Sequence, residues 1–196
     1  VTSTSLGYLT FDPPYPSYTW EDMDGNTARI TIAADYAVSL GITVVNSAGN
    51  NGYNPSHNTL NAPADGDSVI TVGAVYSDGI ATGFSSCGPT ADGRIKPDLM
   101  AMGSNVYHAT TSGNGYSFGD GTSYSCPLLA GACALILDAH PSLTPMEVLQ
   151  LLRSTATQSN NPDNIYGWGI INALSAINLI PVPVELTSFS AVYANG

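Results

Sequence analysis

The sequence predicts an α/β fold with a mostly parallel sheet flanked by helices, and three stretches carry that expectation. From Ala28 to Leu40 the apolar residues Ile30, Ala33, Ala34, Ala37, Val38 and Leu40 recur at helical spacing, and Gly41 closes the run. Ile42-Thr43-Val44-Val45 follows at once as a short apolar run of the kind buried on both faces. A helix leading straight into such a strand is the repeating unit of a parallel sheet. The third stretch is Gly121-Thr122-Ser123-Tyr124-Ser125-Cys126-Pro127, running into Leu128-Leu129-Ala130-Gly131-Ala132-Cys133-Ala134-Leu135. It is a glycine turn, a hydroxyl, and then an apolar segment long enough for a buried helix.

Size and charge narrow the function classes. A chain of 196 residues can form one domain and bury roughly 70% of its unfolded surface without disulfides or metals. Hydrophobic residues make up 43% and charged residues 10%. No uninterrupted apolar run approaches the ~20 residues of a membrane span, so a soluble globular protein is expected. Arg29, Arg94, Lys96 and Arg153 face fifteen carboxylates, for a net charge of −11, which repels nucleic acid. Cys87, Cys126 and Cys133 cannot all pair within the chain and are expected as buried small hydrophobes. They do not decide the compartment.

In chain order, Val1 to Gly7 is a β-prone run, and Tyr8 to Trp20 is too rich in proline and tyrosine to be regular. Glu21-Asp22-Met23-Asp24-Gly25-Asn26-Thr27 alternates carboxylates before a glycine. A calcium loop of the EF type would need a bidentate acid further along, so a turn and helix cap are expected there instead. At the carboxyl end of the Ile42–Val45 strand, where open parallel sheets bind ligands, stands Asn46-Ser47-Ala48-Gly49-Asn50-Asn51-Gly52. On composition alone it is a solvated turn. Tyr53 to Pro63 is a polar loop holding His57, and Asp67 to Ala74 supplies the next strand. Asp92, Arg94, Lys96 and Asp98 flank tight turns and are expected to pair locally, worth at most ~1 kcal/mol each if exposed. Asn105 to Thr110 alternates like a strand, and Ser112-Gly113-Asn114-Gly115 resembles a hairpin turn. The glycines from Gly113 to Gly121 are not a phosphate loop, because Asp120 stands near the serine where a lysine is required. Thr144 and Glu147 form a capping box with Pro145 at the first helical position. Val148 to Thr155 is amphipathic, and Gly167 to Leu174 leads a last short helix.

Ser123 stands at a helix entrance, where amide N–H groups lack intrahelical partners and the macrodipole is positive. Such a place suits a nucleophilic serine whose own N–H holds an oxyanion, and it equally suits an ordinary capping hydroxyl. The heptapeptide Gly121-Thr122-Ser123-x-Ser125-x-Pro127 resembles the nucleophile motif of the subtilisin-like serine proteases. Further blocks resemble the same family in the same order: Ser5-Leu6-Gly7, Ala48-Gly49-Asn50, Ala62-Pro63-Ala64 with the Asp67–Ala74 strand, and Phe84 through Ala101. Together the resemblance runs from about Thr2 to Ala176. One departure is Met102 before Gly103, where many relatives carry proline.

The resemblance implies a subtilisin-like three-layer fold and peptide-bond hydrolysis through an acyl-enzyme on Ser123, with the Asn50 side-chain amide in the oxyanion hole. It implies an extended peptide or protein substrate, with Ser5, Leu6, Gly7, Ser47, Ala48 and Gly49 framing the primary specificity pocket. Gly7 is expected to leave that pocket open. No cofactor or metal is implied, and secretion or a bacterial cell surface is the expected location. The family's aspartate and histidine precede the Ser-Leu-Gly segment, and neither precedes it here. The chain is therefore expected to be the later part of a catalytic domain spanning residues 1–180, incomplete at its N-terminus and inactive alone. Residues 181–196 are expected to form a linker or the start of another module. His57 follows the asparagine block, the wrong order for the family's base. Two further readings remain: a peptide-binding module that kept the groove without the base, and a nucleotide-binding domain, against which the missing phosphate-loop lysine counts.

Overall fold

The computed structural model describes residues 1–111 and 113–180; Ser112 of the expected hairpin turn and the expected linker at 181–196 lie outside the described residues. Four strands form a parallel sheet in sequential order: β1 (Thr2–Thr4), β2 (Val44–Ser47), β3 (Ile70–Val75) and β4 (Leu99–Met102). β1 is an edge strand. β5 (Val106–Ala109) and β6 (Tyr116–Gly119) make a separate antiparallel hairpin. The helices are α1 (Arg29–Ser39), α2 (Thr122–Ala139), α3 (Pro145–Thr155) and α4 (Ala173–Leu179).

Neighbouring residues of a strand point to opposite faces, and β2 shows what that does here. Val45 joins Ile70, Val72, Leu99 and Ala101 in a core against Cys126, Leu129, Cys133 and Ile136 of α2, with Val148, Leu149 and Leu152 of α3 behind them. Val44 faces the other way and packs with Val69 on Val38 of α1. The sheet thus lies between α1 on one side and α2 to α4 on the other, which is the three-layer α/β arrangement. α2 is apolar and long enough, at 18 residues, to cross a membrane by length and composition, but here its inner face is core.

Local rules account for several element ends. Thr144 and Glu147 close the expected capping box, with the Glu147 N–H donating to Thr144 Oγ1 at 3.3 Å and the Thr144 N–H to Glu147 Oε2 at 2.7 Å. In the acidic segment before α1, Asp24 accepts from the Asn26 and Thr27 N–H groups, so it makes the turn, while Ala28 stands at the cap of α1. The burial expected along α1 is only partly realised. Thr31 and Val38, two turns apart, define its inner face, whereas Ala33 is exposed and Leu40 is 64% exposed. Leu40 already lies past the last helical residue, and α1 meets the sheet along a narrow seam.

The expected local pairing of Asp92, Arg94, Lys96 and Asp98 divides in two. Arg94 does pair with Asp92 at 2.8 Å and with Asp67 at 3.1 Å near the surface. Lys96 and Asp98, by contrast, are buried: Lys96 Nζ donates to Asp98 Oδ2 at 2.8 Å and to the Val69 carbonyl at 2.8 Å. Arg153 from α3 reaches the other carboxylate oxygen, its guanidinium stacked 3.8 Å from the Trp168 ring centroid, and the Thr71 N–H donates to Asp98 at 2.7 Å. Burial would push the Asp98 carboxyl up, but Lys96 and Arg153 outweigh it and hold the group below its ordinary range. The turn residues were read from spacing along one segment, and Arg153 arrives from 55 residues away.

Candidate active site

α2 begins at Gly121, whose φ of +142° is closed to other residues and turns the chain from the β6 hairpin into the helix. A Cβ there would stand 3.3 Å from Asn50 Nδ2. The carboxyl end of β2 therefore comes directly against the helix entrance, as expected for a site beyond the strand ends of a parallel sheet.

Thr122 ties the two segments together. Asn50 Oδ1 accepts from the Thr122 N–H at 2.9 Å and from Thr122 Oγ1 at 3.0 Å, and Thr122 Oγ1 lies 3.2 Å from the Gly49 carbonyl. These bonds engage the oxygen of the Asn50 carboxamide. The Nδ2 group has no hydrogen-bond partner among the described residues, and Asn50 is exposed. Thr122 was not singled out by sequence reasoning, although a hydroxyl at the first helical position was the available signal.

Ser123 is half-buried at the same entrance. Its hydroxyl has one partner among the described residues, the Ser5 carbonyl at 3.4 Å. In return Ser5 Oγ donates to the Ser123 carbonyl at 2.9 Å. Pro127 explains why that carbonyl is available: it sits inside α2 four residues on and has no N–H to close the helical bond. The proline of the heptapeptide thus frees the atom through which the β1 segment is held to the Ser123 segment. Ser125 Oγ bonds the Ala101 carbonyl at 3.1 Å, anchoring the first turn to β4.

Ser5, Leu6 and Gly7 continue from the edge strand β1, with Leu6 60% exposed. Ser47 ends β2, Ala48 and Gly49 follow it, and all three are buried; the Ala48 N–H bonds the Val72 carbonyl at 2.9 Å and its own carbonyl accepts from the Asn61 N–H at 3.2 Å. The two segments are neighbours because their strands pair, Thr4 opposite Asn46. The space that Gly7 was expected to leave open is occupied. A Cβ on Gly7 would lie 2.6 Å from Asn61 Cβ, and one on Gly49 would lie 3.1 Å from Asn61 Nδ2. Asn61 comes from the loop before the Ala62-Pro63 bond, and nothing in its local sequence marked it.

His57 is engaged elsewhere. Its Nδ1 is 2.7 Å from the Asn58 carbonyl, its Nε2 is 2.9 Å from Asn54 Nδ2, and its ring stacks on Trp20 at 5.6 Å. With Leu9, Tyr18 and Tyr53 it lines a cavity of about 400 Å³. His108 of β5 holds Tyr124 Oη of α2 at 3.2 Å. Among the described residues no group of three or more His, Cys, Asp or Glu side chains is placed to hold a metal.

All three cysteines are free and buried. Burial raises each thiol, Cys133 to about 12, and Cys126 lies within 3.4 Å of the Thr4 carbonyl and 3.6 Å of the Val45 carbonyl, beneath the strands. Iodoacetamide at neutral pH is expected to leave the native protein unlabelled by mass and to add three groups after denaturation. Alkylation of Cys126 in the native state would show that it opens to the site.

This geometry can be set beside known proteins. A model of the Subtilase family matches residues 1–169 of the chain. The chain belongs to the subtilase family. It is 44% identical over 153 residues to Subtilisin DY of Bacillus licheniformis, covering 78% of this chain and 52% of that protein. Against Subtilisin E of Bacillus subtilis (strain 168) it is 42% identical over 152 residues, covering 78% and 38%. Among solved structures it resembles MycP1 from Mycobacterium smegmatis, with a TM-score of 0.64 and 26% identity over 87% of this chain and 50% of that one. The fold is also shared with the Prenylagaramide maturation protease PagA, at a TM-score of 0.69 and 24% identity over 90% and 60%. The subtilase chain thus spans about half the length, or less, of the curated relatives it matches. Family membership makes it a relative of serine endopeptidases, which act on protein.

Proposed function

We propose that this subtilase chain supplies the nucleophile, the oxyanion donors and the substrate groove of a serine-type endopeptidase. The observation that carries the reading is the Asn50 carboxamide, whose oxygen is held by Thr122 so that its Nδ2 group is left free to donate beside Ser123. Ser123 Oγ attacks the scissile carbonyl carbon, and the carbonyl π pair moves to oxygen. That oxygen accepts from Asn50 Nδ2 and from the Ser123 N–H at the positive end of α2. Collapse expels the amine, which takes up the proton that the base removed from Ser123, and leaves an acyl-enzyme that water then hydrolyses. The substrate lies extended along Ser5-Leu6-Gly7, extending the sheet beyond β1, and the segment Ser47-Ala48-Gly49 forms the opposite wall.

Serine needs a base within hydrogen-bond reach. The one partner of Ser123 Oγ among the described residues is a carbonyl, which cannot take the proton. In this proposal the aspartate and histidine come from outside these 196 residues, and the chain alone turns over little. Secretion or display at a bacterial surface belongs to the same proposal, on the strength of the Bacillus relatives. The lone carbonyl partner also favours a second reading, a groove that binds peptides without cleaving them.

A longer form carrying the base is expected to react with a peptidyl phosphonate, with the adduct on Ser123 by peptide mapping. Ser123→Ala is expected to abolish it. An adduct that persists in the variant overturns the assignment, and a base-containing form that binds peptides without reacting supports the second reading.

A further inference from the structure

The aromatic loop at residues 8–20 takes no part in the chemistry proposed above, yet it borders a cavity of about 580 Å³ against the start of α1. Tyr8, Phe11, Tyr15 and Tyr18 line it from the loop, and Arg29 and Ile30 from the helix. Among the described residues no carboxylate lines it, and neither do Ser123, Asn50 or the two segments proposed as the groove. Its walls are tied in place. The Tyr8 N–H donates to the Ala62 carbonyl at 2.9 Å and the Tyr18 N–H to the Leu9 carbonyl at 2.7 Å. The Arg29 N–H donates to Tyr18 Oη at 3.3 Å, and Phe11 meets Tyr18 edge to face at 5.4 Å. Charge sets Arg29 apart. Of the four Lys and Arg side chains, Arg94, Lys96 and Arg153 each pair with a carboxylate. Arg29 is exposed, and its guanidinium has no ion pair or hydrogen bond among the described residues.

We infer that this cavity binds an aromatic ring bearing a carboxylate, with the ring among Tyr8, Phe11 and Tyr15 and the carboxylate on the Arg29 guanidinium. A volume of this size, mostly aromatic walls and a single charged group are the ordinary makings of a small-molecule site. Aromatic walls favour a flat ring through offset and edge contacts. The guanidinium presents a planar fork that matches a carboxylate with two parallel N–H bonds. The chain's net charge of −11 repels anions over most of the surface, so a cation without a counter-ion marks a local exception. An uncharged ring forgoes the Arg29 contact, and a cationic one is repelled by it. Such a group comes either as a free aromatic acid or as the last residue of a peptide chain. The inference is independent of Ser123 and of any base.

The test is ligand binding to the 196-residue chain, followed in ¹H–¹⁵N spectra. The probes are hydrocinnamate, its uncharged amide, and an acetylated dialanyl-phenylalanine with a free carboxyl end. Hydrocinnamate is expected to bind about tenfold more tightly than the amide at low salt, the low end for a hydrogen bond to a charged group. It should move the Arg29 Nε–H signal together with the amides of Tyr8 and Arg29. Arg29→Gln is expected to erase the difference between acid and amide, and Tyr15→Ala to weaken both about fivefold by removing one ring contact. Both side chains are exposed, so neither change is expected to disturb the fold. A peptide that binds as tightly as hydrocinnamate, with the same shifts, supports the inference with a chain end as the ligand. Binding of hydrocinnamate alone supports it with a free acid. Equal binding of acid and amide to the unaltered chain, or no probe moving the Arg29 signals, overturns it. Shifts confined to residues 5–7 also overturn it, while supporting the groove.

Discussion

Asn50→Ala is expected to slow acyl transfer to Ser123 by about 10²–10³ with little change in KM; the factor is the one measured on subtilisin itself and is carried over from the family. The direction follows from the site. In the proposed mechanism Nδ2, which has no hydrogen-bond partner among the described residues, gives its strongest bond to the oxyanion of the transition state, where that bond lowers the barrier. The alanine also removes the acceptor of the Thr122 N–H and hydroxyl. That loss is limited to about 1 kcal/mol, because Asn50 is exposed and water can replace the oxygen. Asn50→Asp separates the two effects, since it keeps the acceptor for Thr122 and removes the donor. The rate of phosphonylation at Ser123 in a base-containing form, with a urea midpoint for each variant, is the measurement. Full reactivity in both variants would remove Asn50 from the mechanism.

Asp98→Ala carries the largest expected effect on stability, a loss of about 3–5 kcal/mol, because it strands the buried Lys96 ammonium without its counter-ion. Arg153 loses its carboxylate as well, though its stack on Trp168 remains. The sign of the pH dependence follows from the folded-state shift. The Asp98 carboxyl is held below its ordinary 3.8, so its contribution is complete above that value and is lost as pH falls through the lower folded one. Asp65 works the other way. Its burial raises it despite bonds from Thr31 and the Gly25 N–H, so its contribution is present below 3.8 and is lost as pH rises through the raised value. Removing Asp98 should therefore flatten the acid limb of stability below about pH 4, whereas Asp65→Asn should not. Urea midpoints across pH 2 to 7 decide it, and an Asp98 variant with an unchanged midpoint would show that the buried network contributes nothing.

The Ser123 segment was readable as a helix entrance because the signals for one are local, while a nucleophile's role for Ser123 came from the family pattern. Gly121 makes the turn and the apolar run behind it is long enough for a buried helix, so Ser123 was placed at a helix entrance by residues within two turns of it. Ala48-Gly49-Asn50 was readable as a turn at a strand end, and its part in the site came from the family pattern, since nothing in those residues says that Thr122 will hold the carboxamide oxygen. Asn61 escaped notice because its meaning depends on two glycines 54 and 12 positions earlier, which only the pairing of β1 with β2 brings together. For the acidic and basic residues from Asp92 to Asp98 the sequence supports only local pairing, because spacing along one turn cannot show that Arg153 will reach Asp98 from α3 with Trp168 stacked on it.

By itself, then, the sequence determined the α/β class, the order of helix and strand, the helix-entrance serine and the family. Each of these depends on a period, a turn residue or a motif contained within a few turns of chain. The tertiary structure alone decided which end of the Asn50 carboxamide Thr122 holds, that Asn61 occupies the space over Gly7, and that Lys96 and Asp98 are buried. Hydrogen-bond direction and burial belong to atoms that meet across tens of residues, and their positions are set only when the strands pair and α2 packs down on them.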